Sequence, residues 1–148
     1  MECALYIPPA QWDPYLPPDV RPVRCAAELT EYCWDLLALT PEGCRCLDGL
    51  DGQKLRCGML LVPGTGMPRG IQAETVVTYG LSHRDSLTLS SLSEPVLCVQ
   101  RALPRLEGGN VEPQEIPLPP LQGEAETLLP LLGMRLLRMP LTAMSAPW

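Results

Sequence analysis

The chain has 148 residues, 46% of them hydrophobic and 19% charged, and a formal net charge of −6. That length fits one ordinary domain with its own core. The composition excludes a solvated disordered tail, and a chain that repels phosphate is a poor general binder of nucleic acid. No run of about 20 apolar residues offers a membrane span. Glu2, with Pro8 and Pro9 close behind, does not suit a secretory leader. The expected setting is the cytosol.

Two features of composition are unusual. There are 18 prolines and no phenylalanine, so a core has to come from Leu, Val, Ala, Met and Cys. The seven cysteines are an odd number, which argues against a disulfide framework in a cytosolic chain.

In chain order, Cys3 to Ile7 reads as a first strand. Residues 8–22 carry so many prolines that helix and interior strand are both disfavoured. The expectation is an extended surface segment pinned by Trp12, Tyr15 and Leu16. Residues 25–39 show the clearest helical period, with Cys25 or Ala26, Leu29, Tyr32 or Cys33, then Leu36 and Leu37 on one stripe. Thr40-Pro41-Glu42-Gly43 reads as the end of that helix. Residues 44–53 read as a loop, 55–62 as a buried strand, 64–70 as a connecting loop and 74–79 as a second strand. Short strands at 86–92, 96–103 and 111–118 follow, with Glu107-Gly108-Gly109-Asn110 as a hairpin turn and Pro113 and Pro117 marking an edge. Residues 124–139 read as a closing helix with Pro130 in its first turn, and 141–148 as a mobile tail. The fold expected is α/β over residues 1–140: a small mixed sheet with a partly parallel core, an antiparallel C-terminal meander and about two helices.

No motif completes a catalytic set. The loop Gly64-Thr65-Gly66-Met67-Pro68-Arg69-Gly70 follows a strand, where phosphate loops sit. It lacks both the dinucleotide spacing and the Gly-Lys-Ser/Thr ending of a triphosphate loop. It reads as a plain connection; read functionally, its amides and Arg69 would cradle an anion. Ser82-His83-Arg84-Asp85-Ser86 reads as a turn whose Ser82 or Asp85 bonds the backbone, because triad members come from separated segments. Cys44 and Cys46 are weak metal-ligand candidates, since structural zinc needs four ligands. The acid pairs Glu112 with Glu115 and Glu124 with Glu126 read as solvated faces. The positions assigned first to a ligand are Gly64, Thr65, Gly66, Arg69, Tyr79, Ser82, His83 and Arg84, at or after strand ends.

The run Val76-Val77-Thr78-Tyr79-Gly80-Leu81-Ser82, then Ser86-Leu87-Thr88-Leu89-Ser90-Ser91, resembles part of the central domain of the Mur ligases. The resemblance extends over about residues 56–120, with Leu60-Leu61-Val62-Pro63 in place of the preceding strand. It implies parallel strands giving way to a hairpin layer. The ligases' triphosphate loop and metal-binding acids have no counterpart, so no catalytic residue carries over. The chain also resembles small uncharacterised bacterial proteins that share its Cys98-Val99-Gln100-Arg101 run. The functional expectation is a non-catalytic ligand-binding or adaptor module of a bacterial cytosol, with a protein or small-molecule partner and no cofactor. The alternative is a small cysteine-dependent metal-binding or redox protein.

Overall fold

A computed structural model describes residues 2–48, 55–91, 93–120 and 123–140. The first strand, β1 (Cys3–Tyr6), lies where the sequence places it. The proline-rich segment departs from expectation: Ala10–Tyr15 forms a 3-10 helix and Val20–Val23 forms β2. The helix closes through Trp12 N–H to Pro9 O and Leu16 N–H to Asp13 O, bonds that need no donor from Pro14. Trp12 is buried, and Tyr15 and Leu16 pack on the core beside it, as expected.

The 25–39 segment corrects the sequence reading most. Helix α1 covers only Ala26–Glu31, and Trp34–Leu39 is the strand β3. Leu36 and Ala38 face one core while Leu37 and Leu39 face the other. A strand buried on both faces is a continuous apolar run, which periodicity alone does not separate from helix. Thr40-Pro41 then starts a helix instead of ending one. Helix α2 is Pro41–Asp48, and Gly43 N–H donates to Thr40 Oγ1 at 3.0 Å. Threonine at the cap and proline at the first helical position serve a start as readily as a stop.

Strands β4 (Leu55–Pro63), β5 (Ile71–Tyr79), β6 (Leu87–Leu89), β7 (Val96–Val99) and β10 (Gln114–Pro117) complete a sheet of eight strands in the order β10-β7-β6-β5-β4-β3-β1-β2. From β2 to β6 all pairings are parallel; β7 and β10 are antiparallel. The expected strands at 96–103 and 111–118 are each split. Leu103–Pro104 (β8) and Asn110–Val111 (β9) leave the main sheet and form their own hairpin around the predicted Gly108-Gly109 turn.

Helix α3 (Ala125–Arg138) lies on one face of the sheet, and Leu29 of α1 and Leu47 of α2 belong to the core on the other. Pro130 is its sixth residue and not in the first turn. Residues 128–137 are all buried, so α3 is covered around nearly its whole circumference. At its C-terminal end Arg105 donates to Leu136 O and Met139 O, Arg135 donates to Tyr15 O at 2.7 Å, and Arg138 pairs with Asp19 and Glu107. These contacts tie the proline-rich segment, the β8–β9 hairpin and α3 together. They also set the direction of α3: its C-terminus lies where the parallel strands begin and its N-terminus where they end.

The prolines also explain both sheet edges. Val23 O accepts from Ile7 N–H, so Val23 faces β1 and the donorless Pro22 faces outward. Leu118 N–H donates to Pro95 O, so 114, 116 and 118 face β7, and Pro113, Glu115 and Pro117 face outward. At each edge the prolines stand where a free strand would offer donors to another chain. Among the described residues no helix is long and apolar enough to cross a membrane.

Candidate functional site

The order β2-β1-β3-β4-β5 is that of doubly wound sheets, which take ligands beyond the strand C-termini near the point where strand order reverses, here between β1 and β3. In this chain that point is filled by its own side chains. Thr40, 4% exposed, directs Oγ1 at Tyr6 O (3.1 Å) and Ile7 O (2.9 Å) while accepting from Gly43 N–H. Tyr79, assigned to a ligand by its place after a strand, turns into the core and donates to Leu39 O at 2.6 Å. Burial pushes its phenol well above the ordinary tyrosine range. A β-branched residue, Ile7, is held at φ 55°, a strained conformation for its type.

The next strand ends, those of β4 and β5, meet at Asp85. Its carboxylate Oδ2 accepts from Ser82 N–H at 3.1 Å, its own N–H donates to Ser82 O, and its carbonyl accepts from Gln100 Nε2. The turn reading of 82–86 therefore holds, and Asp85 engages Ser82, not His83. A Cβ on Gly64 would lie 1.8 Å from Asp85 Oδ1, and one on Gly80 2.5 Å from Oδ2. Glycine is required at both so that the two strand ends can close on a buried acid. Gly64, Thr65 and Gly66 are exposed, as are Ser82, His83 and Arg84. The structure thus brings Gly64 to the Ser82–Asp85 turn.

It does not bring Arg69 there. The register runs in parallel from Leu55↔Ile71 to Pro63↔Tyr79. The seven residues 64–70 must therefore carry the chain back along the full length of β4, roughly 26 Å at about 3.3 Å per residue. An extended chain barely covers that span, and most parallel crossovers use a dozen residues or more. Arg69 and Gly70 lie at the opposite end of the sheet from Gly64, and Gly70 O accepts from Leu55 N–H. An anion cradle that combines the 64–66 amides with Arg69 is ruled out by this geometry.

Cys44 and Cys46 sit on α2, not in a loop. Cys44 is half-buried and Cys46 exposed, consistent with positions two apart pointing to different sides of a helix. Burial pushes the Cys44 thiol up to about 11, which disfavours a reactive thiolate. Among the described residues no three His, Cys, Asp or Glu side chains are placed to hold a metal.

The open part of the strand-end surface lies elsewhere. A groove of about 930 Å³ runs between the β6–β7 turn, the chain leaving β10 and the N-terminus of α3. Half-buried Pro95, Val96, Leu118 and Pro119 line it, together with exposed Glu94, Glu124 and Glu126. Sequence reasoning missed this site because three segments that look like ordinary turns build it. Glu124 and Glu126, which read as a solvated face in the sequence, gave no sign of it. Comparison of the chain with protein-family models, with curated proteins and with solved structures finds no match.

Proposed function

We propose that this chain is a non-catalytic binding module that recognises a ligand or a partner protein on the strand-end surface of its sheet. The groove at the β7–β10 side carries this reading. It is a concave, partly apolar surface of the size that holds a ligand, on the side of the sheet that α/β folds use for binding. At the parallel strand ends, the buried polar groups are engaged in holding backbone: Thr40 on Tyr6 and Ile7, Tyr79 on Leu39, Asp85 on Ser82. An adaptor role, with the Mur-ligase-like segment as a scaffold without ligase machinery, belongs to the same reading. The cysteine-based alternative draws no support from a half-buried Cys44 beside an exposed Cys46.

The test is an NMR titration of the isotopically labelled chain with nucleotides, muropeptides and pooled peptides, each ligand being recovered and weighed by mass spectrometry afterwards. A binding module gives saturable shifts along the strand-end surface and returns its ligand unchanged. Chemical conversion of any ligand, or no saturable shift with any class, overturns the reading.

A further inference from the structure

Resting on that reading, we infer that the groove takes a short extended protein segment in which basic side chains alternate with aliphatic residues or proline. The charge distribution points to this partner. Glu2, Asp13, Asp19, Glu28, Glu42 and Glu107 each pair with an arginine, while Glu31, Glu74, Glu112 and Glu115 form no ion pair among the described residues but lie scattered; the three acids at the groove differ in sharing one concave surface. Glu94, Glu124 and Glu126 form no ion pair among the described residues, and among those residues no lysine or arginine lines the groove. The sequence has none between Asp85 and Gln100, nor between Leu106 and Met134. The N-terminal end of α3 offsets part of the charge of Glu124 and Glu126, but no described cationic side chain does, in a molecule already at −6.

The walls narrow the choice further. Pro95, Val96, Leu118 and Pro119 give an apolar floor that a small hydrophilic cation leaves uncovered, while aliphatic side chains between basic ones cover it. Nucleic acid and anionic lipid are repelled by the same carboxylates. The mode of docking is restricted as well. Pro117 in β10 and Pro113 just before it lack outward donors, which disfavours addition of the partner as a further strand and favours binding through its side chains in the groove.

The experiment is fluorescence anisotropy of the full chain with labelled peptides in which Arg alternates with Leu or Pro, against peptides with Glu or Gln in place of Arg. The test variant is E94Q/E124Q/E126Q; the control, equal in net charge, is E31Q/E74Q/E112Q, away from the groove. Both are first checked for an unchanged thermal transition. Leu118→Arg, which places a cation in the floor, is an independent second variant. The basic peptide is expected to bind the native chain and the control equally. It should bind the groove variant about tenfold more weakly and lose most of its affinity to added salt. Equal binding to both Gln variants, equal binding of the acidic peptide, undiminished binding to Leu118→Arg or no binding of any basic peptide overturns the inference. Should nucleotides or muropeptides shift the Gly64–Ser82 corner instead, the groove proposal fails and the binding-module reading stands.

Discussion

The two ends of the strand-end surface solve opposite problems. On the parallel side, around β1, β3, β4 and β5, every strand terminus is closed by the chain's own groups: Thr40 across Tyr6 and Ile7, Tyr79 against Leu39, and Asp85 between Gly64 and Gly80. On the antiparallel side, around β7, β10 and the start of α3, the surface stays concave and its carboxylates have no partner arginine among the described residues. The lesson is that strand order alone does not locate a site. The reversal point between β1 and β3 is where this architecture commonly holds a ligand. Here the carbonyls of Tyr6, Ile7 and Leu39 are already satisfied, and the proposed recognition surface lies at the other edge.

The largest effect should come from shortening the 64–70 connection. Deleting Met67 leaves a segment too short for the β4–β5 register and should abolish cooperative unfolding. Inserting two glycines at the same place should cost under about 1 kcal/mol, because loop entropy grows slowly with length. Chemical denaturation compares the two; a stably folded deletion variant would show that the parallel register is wrong.

Next in size is an alkaline weakness confined to the parallel side. Burial pushes the thiols of Cys3, Cys44 and Cys57 from near 9 to about 11. Each thiol keeps its proton in the folded chain at pH values where the unfolded chain has lost it. The stability each contributes is intact below about pH 9 and falls as pH rises toward 11, by roughly 1.4 kcal/mol per pH unit per thiol at most. Urea midpoints measured from pH 8 to 10.5 should drop steeply, and hydrogen exchange should show β1, α2 and β4 opening first. A flat profile would contradict the burial of these thiols.

A smaller and more local break targets the Asp85 corner. Gly64→Ala should destabilise by about 3 kcal/mol, since its methyl group meets Asp85 Oδ1. In an Asp85→Ala background the same change should cost at least about 1 kcal/mol less. Additive costs in this double-mutant cycle would mean that the two residues do not touch. Peptide affinity at the groove should be unchanged by Gly64→Ala in the folded fraction.

The smallest effect on stability, about 0.5 kcal/mol or less, is expected for Pro113→Thr with Pro117→Thr. These changes restore outward donors at 117 in β10 and at 113 just before it, so the variant should self-associate more than the native chain in sedimentation experiments. Identical sedimentation of both chains would remove the prolines' role in closing this edge.

Some of this was legible from residues alone. The runs Leu55 to Val62 and Glu74 to Tyr79, bounded by Pro63-Gly64 and Gly80, read as strands and lie within β4 and β5, the latter starting earlier, at Ile71. Glu107-Gly108-Gly109 marked its hairpin, and the leucines from 128 to 137 marked α3. Leu36-Leu37-Ala38-Leu39 was misread because a strand buried on both faces and one side of a helix present the same letters. Thr40-Pro41 was misread with it, since a cap and a breaker use the same residues. The Gly64–Gly70 loop reads as a plain connection, and its functional reading as an anion cradle stayed open only because nothing local reveals that its ends lie at opposite ends of a parallel pair.

By itself, the sequence determined the mixed α/β class, the hairpin turn and the proline-marked C-terminal edge, because these depend on local donors, turn chemistry and hydrophobic pattern. Only the tertiary structure decided that Tyr79 faces inward, that Arg69 is far from Gly64, that Asp85 sits between two glycines, and that Glu94, Glu124 and Glu126 share one groove. Each of those facts is a distance between segments far apart in the chain, and such distances are set by strand order and register, not by the residues that flank them.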